Sequence, residues 1–425
     1  MAMRLKDWDK NLKIRLSGEF LVNVTFWMFF PFLAIYFTDS FGKTAAGLLL
    51  IFSQFFSVAA NLLGGYYADK FGRKKMMVYS AVGQGAAFLV FAFASSPWLE
   101  SPVLGFISFT VVSIFGSFYW PASQAMVADV VHEKDRSSVF AIFYTSINIA
   151  VVIGPILGGI FYADHRFELL FCAGILNIAL GLVLKRWIEE TAPPFKRENS
   201  SAEGKTSWIW IIGNQFKDYN VIVRDKTFLL FIIAGILVGQ TFMQLDLLFP
   251  VYVKETVATQ PLFSLGNYTF TIKGEQAFGL LIAENGFLVA LLTIVITKWM
   301  SAYRERNVFM TSSIVYAASI LMFGRTDWIW GLIFAMMIFT FGELMTAGIQ
   351  QSFISELAPE SMRGQYFAAA SLRFTIGRML APLSIPMTDW FGYNWTYLIL
   401  CLLAIISALV YFVMFKRFEK EKAVQ

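Results

Sequence analysis

The chain has 425 residues, 57% of them hydrophobic and only 15% charged, with 45 phenylalanines and a mean hydropathy of +0.61. Soluble domains carry about 25% charged residues, and a water-soluble fold has no interior for this much apolar surface, so a soluble globular protein is excluded and a polytopic protein of the lipid bilayer is implied. The net charge of +5 does not indicate nucleic acid, because the basic residues gather in the short segments between apolar runs.

Metal and nucleotide chemistry are equally absent from the sequence. His132 and His165 are the only histidines, Cys172 and Cys401 lie far apart in apolar runs, and no G-x-x-x-x-G-K-[ST] loop occurs. Neither an enzyme's metal site, a disulfide framework nor an ATP-driven pump follows, and no cofactor is expected. Transport by such a chain draws on an ion gradient or runs downhill.

The N-terminal MAMRLKDWDKNLKIRL is basic like a signal peptide, but the apolar run behind it is long and lacks a small-residue cleavage site, so it reads as a retained first helix. A bilayer core of about 30 Å needs roughly 20 apolar residues per helix. Twelve such windows are predicted, at 16–38, 44–67, 76–95, 103–128, 138–162, 167–187, 228–252, 276–297, 307–324, 328–350, 364–388 and 394–415. With both termini in the cytoplasm, the inner segments hold 27 of the 34 lysines and arginines, the bias that the positive-inside rule requires. This orientation belongs to the cell membrane.

Span one carries Glu19, Asn23 and Trp27 at helical spacing. Between spans two and three runs GGYYADKFGRKKMM, in which Gly65, Asp69, Gly72, Arg73 and Lys74 recur at fixed offsets. Gly72 permits the tight turn of a short helix connection, and a carboxylate such as Asp69 at a helix end requires a cation or a helix N-terminus nearby. Span four contributes Trp120 and Gln124 and ends near Asp129; Arg136 follows in the inner loop. Span five carries Tyr144, Asn148 and the run VVIGPILGGI, with Gly154, Pro155, Gly158 and Gly159. Its small residues permit close helix approach, and Pro155 is expected to kink it.

After span six, EETAPPFKRENSSAEGK has linker composition, and WIWIIGNQFKDYNVIV suits a helix lying on the inner membrane surface. This divides the chain into residues 1–188, a linker at 189–226, and residues 227–425. Span seven holds Gln240, Gln244 and Asp246. The outer segment KETVATQPLFSLGNYTFTIKGEQ predicts a small hairpin, with an N-Y-T sequon at Asn267. Span eight holds Glu284, span ten Glu343, and span eleven Arg373 and Arg378.

The halves are related. Gln124 and Gln351, Asp129 and Glu356, Arg136 and Arg363, Phe140 and Phe367, and Pro155 and Pro382 are each separated by 227 positions. An ungapped internal duplication marks a transporter built from parallel repeats, with the substrate path near the midplane between them.

Ionisable groups within a span are costly and are functional candidates by default. A carboxyl withdrawn from water exchanges protons near neutral pH, and a cation entering beside it displaces the proton, which suffices for antiport. Asp246, Glu343 and Glu284 are therefore the candidate proton-coupling acids, and Asp129, at the inner end of span four, joins them as a charge-relay acid. Glu19, Asn23, Trp27, Trp120, Gln124, Tyr144, Asn148, Gln240, Gln244 and Arg378, together with Asp246 and Glu343, are the candidate substrate-binding set, since aromatic walls with a few polar groups suit bulky cationic ligands.

The loop after span two resembles G-x-L-x-D-R-x-G-R-K of the major facilitator superfamily, with Tyr67 and Lys70 in place of Leu and Arg. The G-P-x-x-G-G run in span five resembles that superfamily's antiporter motif, although Ala141 and Ala150 replace its upstream glycines and span four lacks the arginine common in such antiporters. MQLDLLFPVYV and FTFGELMTAGIQ are similar to spans seven and ten of the LmrP-type multidrug pumps; Phe143 stands where those pumps have a third acid. The resemblance implies an all-α membrane protein of twelve transmembrane helices in two pseudo-symmetric six-helix bundles, not an enzyme. It implies a monomeric, alternating-access exporter of amphipathic or cationic small molecules driven by the proton gradient. Asp69 would latch the inner side against the region of Arg363 and Gly364, with Arg73, Lys74, Arg136 and the span-five glycines as gating elements and Asp129 as relay acid. Import of a nutrient or anionic metabolite through Arg373 and Arg378, and lipid or glycolipid translocation, are the alternatives.

Overall fold

The computed structural model describes residues 8–192, 225–266, 268–358, 366 and 369–424. The expected surface helix of the linker, the sequon residue Asn267 and the latch partners Arg363 and Gly364 lie outside the described residues.

The fold is almost entirely helical, as a bilayer demands of a chain whose backbone must satisfy its own hydrogen bonds. In chain order the helices are α1 (Lys10–Phe29), α2 (Leu33–Phe41), α3 (Lys43–Phe71), α4 (Arg73–Ala94), α5 (Pro102–Val130), α6 (Glu133–Phe161), α7 (Arg166–Trp187), α8 (Lys226–Phe242) and α9 (Leu248–Thr256). After a hairpin come α10 (Gly274–Met300), α11 (Glu305–Phe323), α12 (Ile329–Ala347), α13 (Ile349–Leu357), α14 (Leu372–Leu380) and α15 (Ser384–Val424). Among the described residues eleven helical runs are long and apolar enough to cross a membrane. The last, Leu372–Ala423, covers predicted span eleven from Leu372 onward and all of span twelve, and Gly392 (φ 75°, ψ 166°) breaks the helix between them.

Three of the breaks inside predicted spans have a common cause. Pro31, Pro250 and Pro382 lack the N–H that would serve the carbonyl four residues back, which is that of Trp27, Asp246 and Arg378 respectively. Short 3₁₀ turns lie at these places: Phe30–Phe32, Met243–Asp246 and Ala381–Leu383. Pro121 and Pro155, by contrast, lie within the continuous helices α5 and α6.

The chain forms two compact units, one of residues 8–41 and 52–192, the other of residues 42–51 and 225 onward. In the first, α4 packs against α5 and α7, and α1 against α6 and α7. A Cβ on Gly158 would stand 2.2 Å from the Met28 carbonyl oxygen, and one on Gly154 2.5 Å from Trp27 Cβ, so these glycines allow α6 to lie directly on α1. In the second unit α8, α11 and α15 enclose an aromatic core in which Phe228, Phe231, Phe309, Phe353, Tyr411 and Phe415 are buried.

The predicted hairpin is present in the second unit. Strands β1 (Gln260–Leu265) and β2 (Tyr268–Ile272) pair antiparallel, with Phe263 opposite Phe270 and their rings 4.6 Å apart. Gly266, at φ 60°, supplies the left-handed residue of the turn.

Candidate functional site

The second unit gathers the acids of spans seven and ten. Asp246 ends the 3₁₀ turn after α8, and the backbone leaves helical geometry at Leu247 (φ −122°, ψ −73°) before α9 begins. Glu343, on α12, is half-buried and accepts a hydrogen bond from Asn285 Nδ2 of α10 at 3.0 Å. The same amide nitrogen lies 3.0 Å from the Thr340 hydroxyl, which in turn donates to the Met336 carbonyl at 2.9 Å. Asn285 is thus held between two groups of α12 and fixes the Glu343 carboxylate. Arg378 stands on α14 of the same unit. With both acids ionised these three side chains carry a net charge of −1, which one proton or one monovalent cation neutralises.

The two helix breaks beside this cluster are tied together. Gln244 Nε2 donates to the Gln240 carbonyl at 2.9 Å and lies 3.4 Å from the Ala381 carbonyl, while its Oε1 accepts the Ser384 hydroxyl at 2.5 Å. Gln244 and Gln240 are both buried. The polar capacity of Gln244 is spent in holding the turn of span seven to that of span eleven.

Glu284 and Arg373 lie elsewhere in the unit. Glu284 is one residue from Asn285 on α10, and among the described residues neither of its buried carboxyl oxygens has a hydrogen-bond partner. Arg373 is 2% exposed; its Nε donates to the Ala370 carbonyl at 2.8 Å and its guanidinium lies 4.4 Å from the centroid of Phe231. Gly235 makes room for it, since a Cβ there would meet Arg373 Cδ at 2.2 Å. Lys43 pairs with Glu255 at 2.7 Å, and the Tyr393 hydroxyl donates to the same carboxylate oxygen at 2.7 Å.

In the first unit Glu19 is held by several partners. Arg15, 1% exposed, donates to it from Nε at 2.8 Å, and the Tyr119 hydroxyl donates at 2.7 Å. Arg15 also donates to the Ser123 carbonyl at 2.9 Å and to the Ser123 hydroxyl, and its guanidinium lies 5.0 Å from the centroid of Phe143. Phe143, where the resemblance would have an acid, therefore closes an apolar lid over this ion pair and stacks on Trp8.

The signature loop is built from three segments of the first unit. Arg73 pairs with Asp69 four residues earlier and has Nε 3.4 Å from the Asp129 carboxylate, which also accepts the Thr191 hydroxyl at 2.9 Å. Glu190 accepts the N–H groups of Lys74 at 3.3 Å and of Thr191 and Ala192 at 3.1 Å. A negative group there faces the N-terminus of α4, where the helix dipole favours it. Gly72, at φ 102°, is required twice over, because a Cβ would also meet a Glu190 oxygen at 2.2 Å.

Of the remaining candidates, Trp120 and Tyr144 are exposed, and Asn23, Trp27, Gln124 and Asn148 are half-buried. Asn148 Nδ2 donates to the Tyr144 carbonyl at 2.9 Å, one turn back on α6. Gly159 is buried with Gly154 and Pro155, Gly65 has open space where a Cβ would stand, and Arg136 lies on the first turn of α6. Sequence reasoning missed Asn285, Thr340, Arg15, Tyr119, Ser123, Glu190 and Thr191. Only the Arg15–Glu19 pair had a visible signal, opposite charges four residues apart on a helix.

The model of the Major Facilitator Superfamily matches residues 16–272 and 267–425. The chain is 56% identical over 418 residues, 98% of its length and 99% of the relative's, to a Na(+), Li(+), K(+)/H(+) antiporter of Planococcus maritimus. It is 28% identical to the uncharacterized MFS-type transporter YqjV of Bacillus subtilis (84% of this chain, 80% of that one) and 22% identical to the multidrug resistance protein MdtH of Shigella boydii (85% and 82%). Among solved structures, a POT family transporter in complex with 5-aminolevulinic acid shares the fold at a TM-score of 0.77 and 18% identity, over 96% of this chain and 97% of that one. Matched along nearly its whole length by one family model, the chain belongs to the major facilitator superfamily and is a multi-pass membrane transporter.

Proposed function

We propose that the protein is a proton-coupled antiporter that exports small monovalent cations, with Asp246 and Glu343 as the groups that bind proton and cation in alternation. The observation that carries this reading is the acid pair of the second unit: Asp246 at the break in span seven and Glu343 held by Asn285, which with Arg378 of the same unit carry a net charge of −1. A dehydrated alkali cation needs oxygen ligands. Interrupted helices supply them, because backbone carbonyls freed at the break add to the carboxylates. Pro250 withholds its N–H from the Asp246 carbonyl, and Thr340 adds a hydroxyl next to Glu343. The name of the Planococcus maritimus relative, at 56% identity, supports the same exchange.

Competition for one negative charge gives obligatory exchange: the site is neutral with a proton or with a cation, and the empty charged site is slow to reorient through the membrane. Residues 1–188 and 227–425 form the two six-helix halves of this alternating-access cycle in the cell membrane, joined by the linker at 189–226, with both termini cytoplasmic and the monomer as working unit. Asp69, Arg73, Lys74 and Arg136 serve as gating elements on the inner side, and Asp129 holds Arg73.

Efflux of amphipathic cations of the LmrP type is the second reading. The exposed aromatic residues Trp120 and Tyr144, the half-buried Trp27, and the distant multidrug resistance relatives favour it.

Everted membrane vesicles test the primary reading. After respiration has acidified the interior, added Na⁺, Li⁺ or K⁺ should collapse the pH gradient, and Asp246→Asn with Glu343→Gln should abolish the response. A gradient unmoved by these cations but dissipated by ethidium would favour the second reading.

A further inference from the structure

Glu284 takes no part in the cluster just described. It is next to Asn285 in sequence, but successive residues on a helix point about 100° apart. While Asn285 reaches α12, Glu284 begins a different face of α10, with Phe287, Leu291, Ile294 and Val295 below it. All four are exposed, so the second unit leaves this face of α10 uncovered just beyond the acid. Both carboxyl oxygens of Glu284 are themselves buried and lack a hydrogen-bond partner among the described residues.

A charge in that position would be out of water without a hydrogen-bond donor among the described residues, which is costlier than neutralising it. The elements packed most closely on α10 are α9 and α12. Their charged groups are Glu343, engaged by Asn285, and Lys254 and Glu255, which lie level with Gly274, about 15 Å along the helix from Glu284. For Glu284 to exchange its proton, the head of this open helix face has to meet water at one stage of the cycle.

We infer that Glu284 is a second proton carrier, separate from the cation site, which makes the exchange electrogenic. The inference rests on the cation/proton reading of the Asp246–Glu343 site. At that site one proton replaces one monovalent cation and no net charge moves. A further proton bound at Glu284 on the outer side and released on the inner side carries one positive charge inward per cycle, so two protons enter for each cation exported.

Proteoliposomes holding the full-length protein test this, with Na⁺ as the cation and the membrane potential set by a thiocyanate gradient. Wild-type Na⁺/H⁺ exchange should accelerate about tenfold when the potential drives positive charge in the direction of the protons. Its proton-to-Na⁺ ratio should be near two. Glu284→Gln should still exchange, at a ratio near one and without response to the potential, and Glu284→Asp, which keeps the carboxyl, should restore both. Electroneutral wild-type exchange, a Glu284→Gln variant that keeps its potential response, or one with no exchange at all would each overturn the inference. A wild-type protein that moves no Na⁺ would overturn the reading on which it rests.

Discussion

Gly158 and Gly65 both belong to motifs recognised by pattern, yet they bear different loads. A methyl group on Gly158 meets the Met28 carbonyl oxygen at 2.2 Å, a main-chain atom that moves only if α1 and α6 separate, whereas Gly65 has open space. Gly158→Ala should therefore cost about 1–3 kcal/mol by overpacking, visible as a lower melting temperature of the detergent-purified protein. Gly65→Ala should leave the melting temperature unchanged or slightly raised, since alanine favours the interior of a helix by about 1 kcal/mol over glycine. The buried arginines show the same dependence on surroundings. Arg15 serves an acid, whereas Arg373 is enclosed by Phe231, Gly235 and the Ala370 carbonyl and serves packing.

Span seven is broken at Leu247, and the proposed cation site depends on that break. Pro250 denies the Asp246 carbonyl its helical partner, and Gln244 holds the turn against Ala381 and Ser384. Pro250→Ala returns the N–H, allows α8 and α9 to join, and takes that carbonyl out of the cation's reach. The expected result is an apparent Na⁺ affinity weakened by about tenfold, the equivalent of about 1.4 kcal/mol, in a protein that melts no lower than the wild type. An unchanged affinity would remove the carbonyl from the ligand set. The signature loop is likewise an assembly of elements: Arg73 joins Asp69 to Asp129, and Glu190 caps α4 beneath a glycine that no other residue can replace without strain.

At the scale of the whole molecule, the sequence displays what depends on hydropathy, fixed spacing or special backbone geometry. The spans, the hairpin between spans seven and eight, the close approach at Gly154 and Gly158 and the acids of spans seven and ten were legible for that reason. Partners were not. Asn285 and Thr340 are single polar residues in apolar helices, and nothing local distinguishes them from Asn177, which bonds its own helix at Ala173. Gln244 looks like a cavity residue until Ser384, 140 positions away, accounts for its amide. The break at Leu247 could have been read from Pro250, but the choice between a bulky organic cation and a small inorganic one could not, because both need buried carboxylates.

The central claim is that proton and cation compete for the acids of spans seven and ten. Addition of Na⁺ to the purified protein in weakly buffered detergent at neutral pH tests it directly, with the pH of the solution as the readout. Wild-type protein should release protons in proportion to the Na⁺ bound, and the Asp246→Asn, Glu343→Gln double variant should release none. Undiminished proton release by that variant, or Na⁺ binding by the wild type with no change in pH, would contradict the account.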